Sequence, residues 1–171
     1  SGPLAVGINQ GGCFMRALPN ESPTPDIQFH VATLSADMAG GKVHPFSGMT
    51  MSICQLRPES RGHIRIRSTN PFEAPEMQPN YLAADLDRRT AVAGMKAARA
   101  IAASSVMRPY IKREVRPGPD AQDDAALLEP RCISRASTFE LELAATASAL
   151  ARAASAAAGF SCVLVLLSGV G

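Results

Sequence analysis

The sequence predicts an α+β fold: an antiparallel sheet with packed helices, followed by a poorly ordered tail rich in Ala and Ser. Three observations predict it. Residues 26–33 form an apolar, strand-prone run behind Pro25. His63-Ile64-Arg65-Ile66-Arg67-Ser68 alternates polar and apolar with a period of two. Residues 85–104 then switch to a helical period. A chain of 171 residues, 46% of them hydrophobic, can build one domain with a sizeable core. With no Trp and few aromatics, that core falls to Ala, Val, Ile, Leu and Met.

Residues 1–18 are Gly-rich and apolar, and Pro19, Pro23 and Pro25 mark a loop. The first strand, 26–33, follows Pro25, whose missing N–H suits a strand's end. Gly40, Gly41, Pro45 and Gly48 make 35–48 a loop. Residues 49–57 read as a second strand and 63–68 as a third, joined by a polar turn into a hairpin. Its period-two alternation places Ile64 and Ile66 on one face, expected to be the buried one. Across 85–104, Ala91, Gly94, Met95, Ala98, Ile101 and Ala102 share a face, while Arg89, Lys96 and Arg99 fall elsewhere. Asp85 and Asp87 place negative charge at the helix start, where the dipole favours it. Asp120 is positioned to cap a short second helix reaching Glu129. From Pro130 onward Asp, Asn, Gln, His and Lys disappear, and 141–158 is helical by propensity alone.

Composition excludes several functions. A net charge of +2 with scattered basic residues gives no reason to expect nucleic acid as a partner. Cys13, Cys54, Cys132 and Cys162 form no CxxC pair and have no His at metal-ligand spacing, so isolated reduced thiols and no metal are expected. Residues 1–30 have neither a basic start nor a continuous apolar stretch, so a signal peptide is not expected and a cytoplasmic setting is. The uncharged stretch 153–171 approaches membrane-span length, but its first half is Ala and Ser, which argues against a span. Gly7, Gly11 and Gly12 lack the strand–turn–helix context of a dinucleotide fingerprint, and no hydrolase, metalloprotease or P-loop motif is present. The histidines remain. His30 lies in the apolar strand 26–33, opposite in direction to Phe29 and Val31, where it either fills the core or points a ring nitrogen into a pocket. His44 falls in a loop and His63 on the wet face of the hairpin, both suited to surface roles.

Several runs, in order, resemble the glucose-methanol-choline oxidoreductases, especially the choline-dehydrogenase-like members. Ser1-Gly2-Pro3-Leu4 with Gly11-Gly12 resembles the run entering the substrate domain. Pro25-Asp26-Ile27-Gln28-Phe29-His30 resembles the pocket strand. Met49 to Pro58, then Ser60-Arg61-Gly62-His63-Ile64-Arg65-Ile66-Arg67-Ser68, resembles a stretch where the family reads "L-x-P-x-S-R-G-x-[IV]-x-[IL]-x-S". Pro79-Asn80-Tyr81-Leu82 with Asp85 to Ala103, and Pro117-Gly118 with Asp123-Asp124 to Leu128, complete the series. The resemblance covers residues 1–129. It implies a partial substrate-binding domain of a two-domain flavoprotein. FAD would accept hydride from the CH–OH group of a small-molecule alcohol such as choline, and His30 would contact that alcohol in the pocket.

Two departures bear on activity. The FAD fingerprint expected before Ser1 is not in this sequence. After Glu129 the family's "H-P-x-G-T" segment, with its proton-accepting His, is replaced by Pro130-Arg131-Cys132-Ile133-Ser134, and no His follows His63. Residues 130–171 therefore read as an atypical tail, as a frameshift near residue 129 would produce. The resulting expectation is a fragment of an FAD-dependent alcohol oxidoreductase that is inactive alone and has no catalytic residue of its own. The alternatives are a non-catalytic binding or interaction module derived from that domain, and a membrane-tethered protein using 153–171.

Overall fold

A computed structural model of the protein describes residues 9–36, 42–129, 137–141 and 163–166. It shows an α+β arrangement built on a six-stranded antiparallel sheet. The strands are β1 (Asn9–Met15), β2 (Ile27–Ala32), β3 (Gly48–Gln55), β6 (Ile111–Arg116), β7 (Ser137–Leu141) and β8 (Val163–Leu166), in spatial order β6-β7-β3-β2-β1-β8. A separate two-stranded ribbon pairs β4 (His63–Arg65) with β5 (Glu76–Gln78). Helix α1 spans Asp85–Ala103 and α2 spans Asp124–Leu127.

The sheet is amphipathic because its strands alternate. Ile27 and Phe29 of β2, Met49 and Met51 of β3 and Cys13 of β1 point to one face and are buried there with Ala98, Ala102 and Met107. That face takes α1, whose Thr90, Val92, Gly94, Met95, Ala98 and Ala102 are buried. Gly94 permits the close approach: a Cβ there would lie 2.8 Å from Ile53 Cγ2. Val92 and Met95 continue into a second apolar cluster with Ala121 and Leu127, which carries α2.

The first two predicted strands and the long helix match β2, β3 and α1 within two residues at each end. Five expectations are corrected. Residues 49–57 and 63–68 do not form a hairpin: β3 lies between β2 and β7, and 63–65 pairs with 76–78. Ile64 and Ile66 are not buried but 67% and 87% exposed, because the ribbon stands apart from the main sheet. The cap of α2 is Asp123, whose Oδ1 accepts from the Ala126 N–H at 2.7 Å, and not Asp120. Cys13 is disulfide-bonded, whereas Cys54 is free, as expected, and lies exposed. Leu141, placed at the start of a helical stretch by propensity, ends a strand instead. Residues 142–158 of that stretch, and most of the tail expected to be poorly ordered, lie outside the described residues.

Candidate functional site

The face of the sheet opposite α1 is the candidate site, and strand register assembles it. Gly12 of β1 pairs with His30 of β2, and His30 pairs with Ser52 of β3. Directly paired residues point the same way, so the three form one row across the sheet. The next row is Phe14, Gln28 and Cys54, and Thr50 lies opposite Ala32 on the other side of His30. His30, Gln28, Phe14, Ser52 and Thr50 are all half-buried. The core-facing residues between them are shut off from solvent, so polarity changes from one face of the sheet to the other at each step along β2 and β3.

The imidazole of His30 has no hydrogen-bond partner among the described residues. Its β1 neighbour, Gly12, brings no side chain against it, and a Cβ at that position would meet the Phe29 carbonyl at 3.1 Å. Ser52 brings a hydroxyl from the β3 side. The row therefore offers one imidazole and one hydroxyl, a combination able to hydrogen-bond a small hydroxylated molecule.

The other two histidines are engaged. His44 Nδ1 lies 2.9 Å from the Ser35 hydroxyl, and its ring stacks on Phe46 at a centroid distance of 4.9 Å. That ties the loop before β3 to the end of β2. His63 lies in the ribbon with Nε2 3.1 Å from Glu76 Oε1, in keeping with its expected surface position.

The buried carboxylates are structural. Asp26 accepts from the Ala17 and Leu18 N–H groups, fixing the β1–β2 turn. Asp87 on α1 is 1% exposed and accepts at 2.8 Å from the Gln55 amide and from the Glu59 and Ser60 N–H groups. Burial opposes its ionisation, but the hydrogen bonds from Ser60, Glu59 and Gln55 outweigh that and hold its pKa down at about 2. The Ser60 hydroxyl in return accepts from the Ala84 N–H at 2.9 Å, just ahead of the helix. The Ser60-Arg61-Gly62 run is thereby clamped to the start of α1.

A cleft of about 320 Å³ opens along the outer side of α1, between Leu18, Arg88, Arg89, Lys96 and Asp124. Its charges are mutually satisfied: Arg89 bonds Glu21 and Asp85, Arg88 also reaches Asp85, and Lys96 bonds Asp124. Arg89's hydrogen bond holds the Asp85 carboxyl below its usual range. A cleft whose ions neutralise one another presents no reactive group. Among the described residues no cluster of His, Cys, Asp and Glu could hold a metal ion, and no helix is long and apolar enough to cross a membrane.

The described residues do not fit FAD. A dinucleotide's pyrophosphate needs a helix N-terminus with free N–H groups and no competing negative charge. Here α1 opens with Asp85 and Asp87, and α2 with Asp123 as cap and Asp124 in its first turn. Both ends repel phosphate.

Residues 58–158 match the family model described as GMC oxidoreductase, the glucose-methanol-choline family. Among known proteins, an alcohol dehydrogenase [acceptor] of Pseudomonas putida is 38% identical over 139 residues, covering 81% of this chain and 25% of that protein. An oxygen-dependent choline dehydrogenase of Staphylococcus xylosus is 32% identical over 128 residues, 75% of this chain and 23% of its own length. One of Staphylococcus aureus strain JH9 is 31% identical over 129 residues, 75% and 22% respectively. The chain thus spans about a quarter of the length of these relatives, and the ribbon, α1 and β6 all fall within the matched region. The chain belongs to the GMC oxidoreductase family.

Proposed function

We propose that this chain forms the alcohol-facing wall of an FAD-dependent oxidoreductase acting on CH–OH groups, with choline-like alcohols as substrate class. The observation that carries the reading is the row Gly12–His30–Ser52 on the face of the sheet turned away from α1, in a chain whose relatives are alcohol and choline dehydrogenases. His30 accepts a hydrogen bond from the substrate hydroxyl, or donates one to the alkoxide as it forms. Ser52 orients the same oxygen, and Gly12 brings no side chain against it. Such positioning is useful in proportion to how little the imidazole moves, and a residue fixed between two ladder partners moves little.

FAD would supply a hydride acceptor in the complete enzyme. The described residues of this chain supply no site for it. By itself the chain holds no flavin and oxidises no alcohol.

The test is a chimera in which residues 1–129 of this chain replace the corresponding stretch of the Pseudomonas putida relative, which keeps the rest of its own sequence on both sides, including the segment that follows. His30→Ala should lower kcat/KM for the alcohol about 10²-fold, the lower range for loss of one positioned proton-handling group, with flavin content unchanged. Activity within twofold of the parent chimera would show His30 to be a structural strand residue. Loss of flavin instead would show that it supports the fold.

A further inference from the structure

Gln28 is a polar group on the face turned away from α1 that the His30 row does not account for. It lies two residues before His30 on β2 and points the same way, with Phe14 of β1 and Cys54 of β3 as its lateral partners. Neither satisfies its amide. Phe14 has no polar atom, and the Cys54 thiol donates to the Gln55 carbonyl at 3.8 Å. Gln28 is half-buried and forms no hydrogen bond with any described residue. Gln55, a half-buried amide on β3, donates instead to Asp87 at 2.8 Å. A half-buried amide has given up part of its water and gains nothing for it until another group supplies hydrogen bonds.

The polar groups around His30 also have a direction. Thr50, on one side of it, has committed its hydroxyl proton to the Leu34 carbonyl at 2.8 Å. Gln28, on the other side, has committed nothing to the protein. Same-face residues two apart on a strand stand about 7 Å from each other. Hydrogen bonds of about 2.9 Å reaching inward from both positions meet oxygens borne on neighbouring or next-but-one carbons. An amide donates and accepts, which suits a hydroxyl, a group that does both. The rows Gly12–His30–Ser52 and Phe14–Gln28–Cys54 contain no Asp, Glu, Lys or Arg, so nothing there favours a charged second group. Phe14 offers an apolar surface to the carbon chain beside the amide.

We propose that Gln28 is a specificity-determining residue of this site and that its substrates are small alcohols carrying a second hydroxyl. The reacting hydroxyl lies at His30 and Ser52, and the second hydroxyl bonds the Gln28 amide. This rests on the functional reading above for the reacting hydroxyl, and narrows choline-like alcohols in general to diols and polyols.

The first measurement needs no flavin. In the full chain, NMR follows the side-chain amide of Gln28, assigned by its loss in Gln28→Leu, and the ring of His30, assigned by its loss in His30→Ala. The chain is titrated with glycerol and, separately, with n-propanol, which shares its carbon skeleton. Glycerol should shift both signals, and n-propanol the ring alone. A Gln28 amide that stays fixed in glycerol while the ring moves, or that answers both alcohols equally, overturns the proposal and leaves the functional reading standing. An amide that answers glycerol while the ring stays fixed removes His30 from the site and leaves the Gln28 contact intact. If neither signal moves, both fall. The second measurement uses the chimera. Gln28→Leu should lower kcat/KM for glycerol about tenfold, the worth of one neutral hydrogen bond, and that for n-propanol less than twofold, with flavin content unchanged. An equal fall for both alcohols makes Gln28 a structural residue and overturns the proposal. In a chimera that oxidises neither alcohol the functional reading fails, and the titration decides Gln28 by itself.

Discussion

Asp87 shows how one side chain can organise a region that contains no chemistry. It stands at the start of α1, yet its oxygens satisfy donors 27, 28 and 32 residues away in sequence. Its depressed pKa makes it a stability element with a defined pH range. The folded value is about 2 against 3.8 in the unfolded chain, so the stabilisation is fully present above 3.8 and is lost as pH falls through 2. That gap corresponds to about 2 kcal/mol. Asp87→Asn puts an amide NH₂ against backbone donors and should destabilise the protein by about 2–4 kcal/mol at pH 7. In urea titrations the difference from the parent should shrink between pH 4 and pH 2. Equal midpoints at pH 7 would show that the clamp contributes nothing. The sequence suggested only a dipole role for this residue, because propensity and pattern are local and the Ser60 loop it holds is not. His30 is the opposite case. Its direction, away from Phe29 and Val31, follows from strand alternation alone. Its neighbours Gly12 and Ser52 do not, because they depend on register with strands on either side.

At the scale of elements, strands 26–33 and 49–57 and helix 85–104 were legible because each has an unbroken period and sits on the apolar face that defines the core. The hairpin assignment failed for an equally physical reason. Adjacent strands joined by a polar turn usually pair, but here the turn residues Glu59 and Ser60 are bound by Asp87, which carries the chain away from β3 before 63–65 begins. Gly62 then fixes the alternative pairing. A Cβ there would lie 2.2 Å from the Gln78 carbonyl oxygen and 2.4 Å from that of Pro79, both backbone atoms that cannot swing aside. Gly62→Ala should therefore loosen the ribbon selectively. Amide exchange at 63–65 and 76–78 should accelerate at least tenfold, while the α1 amides keep their protection. Uniform acceleration throughout would mean the ribbon is not a separate unit. The reassignment of Ile66 can be measured too. In the isolated chain Ile66→Ala should change stability by less than about 0.5 kcal/mol, as exposed sites do. Phe29→Ala, at 1% exposure, should cost about 3–5 kcal/mol. Comparable costs would restore the buried face to the ribbon.

The whole molecule depends on how the tail joins the sheet. Composition divides the sequence near residue 129, and we propose that division as the boundary between the partial substrate domain, 1–129, and an atypical tail, 130–171. Sheet order nevertheless places β7 between β6 and β3, and β8 against the outer edge of β1. Without β7, the strand β6 loses its ladder partner, while Arg99 of α1 still holds Glu114 at 3.0 Å and the Gly118 carbonyl at 3.1 Å. Without β8, β1 presents an open edge of unpaired N–H and C=O groups, a template for aggregation. Truncation after Glu129 should lower Tm, broaden the transition and raise concentration-dependent aggregation, while the helical signal from α1 persists at low temperature. The amides of β2 and β3 should exchange faster on the β7 side than on the β1 side, because only the former loses a neighbour of β3. An unchanged melting curve would show that residues 130–171 are passenger sequence, as an out-of-frame segment would be. The six-stranded sheet would then reduce to the three strands β1, β2 and β3, with the Gly12–His30–Ser52 row still intact on the face turned away from α1.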